Sequence, residues 1–360
     1  MSALFEPLDK VGQLATVRDV RIAGVATCLP SREVDNAEFV TRFGQKAVDD
    51  VTKMIGVHAR RQVDVGTTTS DLCFFAAQAL LEKLKWDAST VNVLIFVSQT
   101  PDYQLPATAC ALATRLGMPS GVIAFDINLG CSAYPYALWL GMTILASGTA
   151  RRVILAVGDT ISQIVDPEDR ATAMLFGDAG SATALESGGN NKPSFFVLGS
   201  DGNGERHLMV PKSGQRQFVV GDDPRLTDRN AACLYMDGPE VFNFTLKAVP
   251  KLFKALISAS GEIGADWDAV LMHQANLFML KHLTKKCGLT TEQVPVNIEL
   301  YGNTSCASIP LLLCTTLSYG QRPDMRVAMM GFGVGFSWAG AVINIDSDIP
   351  LICINQGETR

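Results

Sequence analysis

The sequence predicts an α/β protein: a five-layer α-β-α-β-α sandwich made from two similar halves, residues 1–185 and 186–360. Three observations lead there. Continuous apolar runs of strand length alternate with helical segments, the pattern of a largely parallel sheet covered on both faces. Two helices, Ser132–Ser147 and Thr304–Ser318, carry no charge and are apolar all round, so each needs a sheet on either side. Each also follows a strand and a Gly-containing turn, so the halves share a pattern without a residue-level repeat.

The first strand, Val17–Thr27, alternates and then runs apolar until Pro30 closes it. Ser70–Lys85 has the helical period, with Leu72, Phe75, Ala76, Ala79, Leu80 and Leu84 on its inner face. Val91–Ser98 is a buried strand, Thr108–Leu116 a short helix and Gly121–Asn128 a second buried strand. Arg152–Gly158, after the first charge-free helix, is a third. In the second half Ala179–Glu186 and Phe195–Ser200 read as strands and Val241–Ser260 as a long amphipathic helix. Ala269–Met272 is a strand, Leu277–Cys287 a helix, and Val294–Ile298 a strand leading to Gly302-Asn303. Arg326–Gly331 and Ala339–Ile345 close the chain as strands. Ser200–Cys233, rich in Gly, Asp, Arg and Pro, is an excursion between the halves.

Composition narrows the function. With 48% hydrophobic and 18% charged residues, the chain has a large core and apolar surface to spare for a subunit interface. A net charge of −6 and the absence of a long basic run exclude a nucleic-acid partner. Nine cysteines without a Cys-x-x-Cys pair, mostly in apolar segments, read as reduced thiols in the cytoplasm rather than disulfides or a zinc site. Met1–Lys10 shows no secretion signal. Ile127–Ala150 is free of charge, but Gly130, Pro135, Gly141 and Gly148 interrupt it. Its apolar part is shorter than the ~20 residues a membrane span needs.

Three residues carry the chemistry. Cys131 sits where a strand runs into the first charge-free helix, and a helix N-terminus favours a thiolate; most buried cysteines are nevertheless inert. His273, in Met272-His273-Gln274-Ala275-Asn276, ends a buried strand. It is either a hydrogen-bonded core histidine or a residue facing a ligand at the sheet's carboxyl edge. Asn303, before the second charge-free helix, is an N-cap or a further site residue. At corresponding strand-to-helix junctions the three can converge. A cysteine, a neutral imidazole and a carboxamide make a poor metal site and a sensible acyl-transfer site. The thiolate would attack a thioester, backbone N–H groups would hold the oxyanion, and His273 and Asn303 would donate to a second oxyanion such as an enolate.

Cys131 in its setting, His273-Gln274-Ala275-Asn276, Gly302-Asn303-Thr304-Ser305 and Gly331-Phe332-Gly333-Val334-Gly335-Phe336-Ser337-Trp338 resemble β-ketoacyl-acyl-carrier-protein synthase III of the thiolase superfamily. Asp166-Pro167-Glu168-Asp169-Arg170 and Phe176-Gly177-Asp178-Ala179-Gly180 are similar too, so the resemblance runs in order from about Val20 to Ile345. It implies the duplicated thiolase-like fold, a homodimer, and a catalytic set at Cys131, His273 and Asn303. The implied reaction is a decarboxylating Claisen condensation: Cys131 is acylated, malonyl-carrier protein loses CO2, and the carbanion attacks the acyl-cysteine. Acyl-CoA or acyl-carrier protein enters as substrate, with no cofactor and no metal. The N–H of Cys131 and one from the Gly333–Val334–Gly335 turn would form the first oxyanion hole, with valine where the family usually has glycine.

The resemblance further implies substrate-binding positions at Arg170, Leu105, Phe278 and Asn276. Arg170 keeps one side of an adenine clamp. On the other side Asp50 and Met54 stand where the family has a tryptophan and an arginine. Phe278 replaces an arginine that meets the phosphopantetheine and carrier protein, although Lys281, Lys285 and Lys286 follow on the same helix. These changes weaken CoA binding, so either the acyl donor is carried on a protein or the residues have drifted around the usual substrate. Leu105 aligns with an acyl-pocket gate contributed across the dimer and suits a longer or branched acyl group. Cys306 reads as packing. Two other functions compete: transfer of the acyl group to a non-malonyl acceptor, and a non-catalytic partner subunit, which retention of all three site residues disfavours.

Overall fold

The computed structural model describes residues 11–189, 192–216, 223–226, 229–317 and 324–357. The N-terminal segment Met1–Lys10 and parts of the Ser200–Cys233 excursion and of the Thr304–Ser318 segment lie outside the described residues.

Two mixed sheets form the frame. The first has six strands in the order Leu351–Asn355, Val20–Leu29, Ala179–Ser187, Arg152–Asp159, Val93–Val97 and Ile123–Ile127. The second has five, in the order Gln13–Val17, Ser194–Ser200, Ser337–Ile345, Met325–Gly333 and Ala269–Met272. The charge-free helices, Ala133–Ala146 and Ser308–Thr316, pack between the sheets in one continuous core that includes Leu138, Met142, Ile309 and Leu312. Thr69–Leu84 and Thr108–Arg115 cover the outer face of the first sheet, and Gly238–Ser260 and Leu277–Lys286 that of the second. This is the five-layer sandwich, and its central helices carry no charged side chain because most of their surface packs between the two sheets.

Local chemistry sets the helix boundaries. Thr69–Leu84 starts at a capping box, with Thr68 N–H donating to Asp71 Oδ2 at 2.9 Å. Gly238–Ser260 begins behind Asp237, whose carboxylate accepts from Glu240 N–H, and ends at Gly261 in the left-handed region (φ 70°).

The expected elements differ from the structure in five places. The stretch Val17–Thr27 is not one strand: the chain turns at Asp19 (φ 60°), and Gln13–Val17 joins the opposite sheet from Val20–Leu29. Leu351–Asn355, an apolar run absent from the expected strands, makes the reciprocal exchange and pairs with Val20–Leu29. The second sheet is not largely parallel; only Ala269–Met272 with Met325–Gly333 is a parallel pair, the other three being antiparallel. Val294–Ile298 is irregular chain running into the short helix Ile298–Tyr301. Finally, the strand near Gly121–Asn128 is an edge strand, half-exposed along Ile123–Ile127, rather than a buried one.

Candidate active site

Cys131 lies in the turn between the edge strand Ile123–Ile127 and the helix Ala133–Ala146, where Ala133 N–H donates to the Gly130 carbonyl at 2.8 Å. The turn is packed against the Gly331–Gly335 segment. A Cβ on Gly331 would stand 2.7 Å from Ser132 Cα, and one on Gly333 would stand 3.0 Å from Cys131 Sγ. Glycine at these positions leaves room for the nucleophile. Ser337 Oγ donates to the Val334 carbonyl at 2.7 Å and accepts from Ser132 Oγ at 2.6 Å, tying the two turns together. Val334 adopts no left-handed conformation, so valine fits where the family usually has glycine; its N–H faces Cys131 Sγ.

Burial pushes the Cys131 thiol up to about 11, outweighing the helpful Ser305 hydroxyl and the N–H groups of Val334 and Cys131. The resting group is therefore a thiol and not the thiolate that its place before a helix suggests. The helix proper begins at Ala133, and no cation is among the groups that shift this thiol.

His273 ends the strand Ala269–Met272, its N–H donating to the Met330 carbonyl at 2.9 Å. Its ring stands edge-on to Phe332 with Nδ1 2.7 Å from Ser308 Oγ. Gln274 N–H donates to that oxygen at 3.5 Å. With the Ser308 hydroxyl donating to Nδ1, the ring proton sits on Nε2. Burial lowers the imidazole to about 3, and the Ser305 carbonyl, which favours the charged form, does not offset it. His273 is thus neutral across the physiological range, a donor rather than a cation.

Asn303 is held from both directions: its N–H donates to the Leu175 carbonyl at 2.9 Å and its carbonyl accepts from Gly177 N–H at 3.1 Å. Its Oδ1 accepts from Ser305 N–H at 2.9 Å, and Nδ2 donates to the Ala275 carbonyl at 3.4 Å. The carboxamide therefore serves the local turn and the site at once, with one Nδ2 hydrogen left for a ligand.

Cys131, His273, Asn303, Asn276, Gly333 and Val334 all line one cavity of about 370 Å³. Asn276 also caps the helix Leu277–Lys286, accepting from Met279 N–H at 2.7 Å. The excursion contributes a cover to this cavity through Leu208, Val210 and Leu234. Gly335, although in the same turn, does not line it. Leu105, Arg170 and Phe278 lie outside the lining too. Leu105 is 83% exposed, Arg170 is exposed, and Phe278 stacks on Phe242 at 5.6 Å and packs at a tilt against His282 at 4.2 Å. Met54, on the helix Gln45–Ile55, is exposed as well. Cys306 is buried, with Sγ 3.8 Å from the Val97 carbonyl.

Several polar residues around the nucleophile escape notice in the sequence. Gln99 lines the cavity, and a Cβ on Gly130 would overlap its side chain; Ser305 Oγ stands 3.9 Å from Cys131 Sγ; Ser308 orients His273. Ser98-Gln99-Thr100 at the end of an apolar strand, and the serines of Asn303-Thr304-Ser305, were the available signals. Among the described residues no group of three or more His, Cys, Asp or Glu is placed to hold a metal, and no helix is long and apolar enough to cross a membrane.

A thiol and a neutral imidazole at strand-to-helix junctions, with a carboxamide between the short helix Ile298–Tyr301 and the second charge-free helix, define a condensing enzyme of thiolase-like fold. The 3-oxoacyl-[acyl-carrier-protein] synthase III family model matches residues 125–202 and its C-terminal model residues 258–345. A Campylobacter jejuni protein assigned as a 3-oxoacyl-[acyl-carrier-protein] synthase 3 is 34% identical, over 90% of this chain and 93% of its own. The crystal structure of 3-oxoacyl-(acyl-carrier protein) synthase from Burkholderia xenovorans LB400 is 51% identical, covers 96% of this chain and 99% of that one, and superposes with a TM-score of 0.95. The priming β-ketosynthase of the R1128 polyketide pathway is 27% identical, covering 92% and 97%, with a TM-score of 0.81. The chain belongs to the 3-oxoacyl-[acyl-carrier-protein] synthase III family.

Proposed function

We propose that this enzyme condenses a Cys131-bound acyl group with malonyl-carrier protein, releasing CO2 and forming a 3-oxoacyl chain. The observation that carries it is one apolar cavity that Cys131, His273 and Asn303 all line, with the Val334 N–H facing the sulfur. In the first half-reaction the Cys131 sulfur adds to a thioester carbonyl. The N–H groups of Cys131 and Val334 hold the tetrahedral oxyanion, and the donor's thiolate leaves. In the second, the malonyl group enters beside His273 and Asn303. Its enolate oxygen takes hydrogen bonds from Nε2–H and Nδ2–H as CO2 departs, and the new carbanion attacks the acyl-cysteine.

The acyl donor is proposed to be carried on a protein. Met54 and Phe278 offer no cation to a nucleotide, and Phe278 is engaged with Phe242 and His282. Intact-protein mass after mixing with matched acyl-CoA and acyl-carrier protein tests both points. An adduct at Cys131 is expected, forming at least ~10-fold faster from the carrier protein, the scale of a lost stacking and ion-pair contact. No adduct with either donor would sink the condensing activity. An adduct without CO2 release from malonyl-carrier protein would favour transfer to a different acceptor.

A homodimer is proposed through the open edge of Ile123–Ile127, where Ile123 is 45% exposed; exposed Leu105 lies in the loop after the neighbouring strand. An uncovered apolar edge invites pairing with another strand, and a second copy supplies one. Light scattering is expected to give twice the 38.7 kDa chain mass, and Ile123→Glu to shift it toward the monomer. The nine free cysteines agree with a reducing, cytoplasmic setting.

A further inference from the structure

Gln99 and Asn128 line the cavity of Cys131, and the condensation described above gives neither of them a task. They come from neighbouring parallel strands of the first sheet. Val93–Val97 and Ile123–Ile127 run side by side, Ser98 N–H donates to the Ile127 carbonyl at 3.1 Å, and the two carboxamides follow at the carboxyl ends. His273 and Asn303, which serve the malonyl group, come from the second half of the chain.

The Gln99 side chain is built into the site. Its main-chain N–H donates to Asp159 Oδ1 at 2.7 Å, and that buried carboxylate oxygen also accepts from Ser98 Oγ at 2.9 Å, which fixes the turn. Gln99 Oε1 accepts from Ser305 Oγ at 3.5 Å, and the same hydroxyl stands 3.9 Å from Cys131 Sγ. Gly130 makes room for the amide, since a Cβ there would lie 1.9 Å from Gln99 Oε1. Among the described residues Gln99 Nε2 has no hydrogen-bond partner, and the Asn128 carboxamide has none at either end. Around them the lining is mainly apolar, with Ile161, Ile164, Leu175 and Leu208. A plain alkyl chain seated there would press carbon against the Gln99 N–H groups, and a buried donor left unmet is costly.

We propose that Gln99, together with Asn128, selects an acyl group that carries a hydroxyl near its thioester end, as on the third carbon. The inference rests on Cys131 bearing the acyl group, as in the condensation proposed above. A hydroxyl both accepts and donates: its oxygen takes a hydrogen bond from Gln99 Nε2, and its proton goes to Asn128 Oδ1. The selected oxygen is neutral rather than a carboxylate. Among the described residues the lining holds no arginine, and its lysine, Lys212, is exposed on the cover. A carboxylate buried against amides alone would lack a countercharge.

The test reads binding apart from chemistry. Cys131 is alkylated with iodoacetamide and followed by peptide mass, in the presence of unreactive amides of butyric or 3-hydroxybutyric acid in which nitrogen replaces the thioester sulfur. In the wild type the 3-hydroxybutyryl amide is expected to give half-protection at a concentration at least ~10-fold lower than the butyryl amide, the scale of one met hydrogen-bonding group in a dry site. Gln99→Leu keeps much of the volume, lacks the amide, and is expected to bring the two concentrations within about twofold of each other. Asn128→Ala is expected to narrow the gap by at least ~3-fold. Asn128 is exposed and bonds to nothing, so this second variant decides the matter even where Gln99→Leu fails to fold. Equal protection of the wild type by the two amides, or protection by neither, would overturn the proposal. So would an undiminished preference in a folded variant of either residue. If the preference stands while no thioester leaves an adduct on Cys131, the condensation fails and the selectivity of the cavity remains.

Discussion

Cys131→Ala is expected to abolish the acyl adduct outright and to lower condensation by at least ~10³, because no other group in the cavity can take the acyl chain. The neighbouring alternatives fail on geometry. Cys306 Sγ points at the Val97 carbonyl and is buried, and the Ser305 hydroxyl donates to Gln99 Oε1 at 3.5 Å, an amide that is no base. Cys131→Ser is a harder case and a sharper test. It keeps the size and the hydrogen bond, but exchanges a thiol held near 11 for an alcohol that burial disfavours still more as an anion. It is expected to lose nearly as much activity as alanine. The Cys131 side chain is nearly buried, so either change costs stability on the order of 1 kcal/mol and the fold survives. A Cys131→Ala protein that still shows a mass adduct, with the label mapped to another residue, would reject this assignment of the nucleophile.

How far this was legible in the sequence follows from what each residue type encodes. The charge-free stretches around Ala133–Ala146 and Ser308–Thr316 announce a layer packed on both faces, and they sit between two sheets. Strand direction is another matter. A strand covered on both faces is apolar along its length whichever way it runs, so Ser194–Ser200 and Ser337–Ile345 gave no sign of being antiparallel. The exchange of Gln13–Val17 and Leu351–Asn355 between sheets depends on where a chain lands after a turn, which no local pattern carries. Val294–Ile298 is apolar enough for a strand, but Ile298 uses its apolar side chain in a packed helix start.

The site divides the same way. Cys131, His273 and Asn303 stand out because each is a rare residue type in an apolar or junction setting. Gln99, Ser305 and Ser308 are common types, and what distinguishes them is three-dimensional: an amide in the nucleophile's cavity, a left-handed backbone, a hydroxyl beside an imidazole. The protonation state of Cys131 was also out of reach. The helix start argues for a thiolate, whereas 8% exposure with no cation among its shifting groups decides for a thiol.

His273→Ala and Asn303→Ala are expected to separate the two half-reactions. Acylation of Cys131 develops its oxyanion against the N–H groups of Cys131 and Val334, which neither substitution touches. Decarboxylation develops charge on the malonyl oxygen, where Nε2–H and Nδ2–H are the donors. Loss of one such donor in a dry site costs about 10²–10³ in rate. Each variant is therefore expected to keep acylation within about fivefold of wild type while CO2 release from malonyl-carrier protein falls by that factor. Because both donors serve one oxygen, the double variant is expected to lose less than the product of the single losses. The pH profile of CO2 release by pre-acylated enzyme adds a second reading. His273 gains its proton only near 3, so between about pH 5 and 8 its charge is constant. No break is expected near 6.5, in either direction; a break there that disappears in His273→Ala would mean the imidazole works as a cation. Equal loss of both half-reactions in the single variants would mean that His273 and Asn303 shape the nucleophile and leave the enolate to other donors.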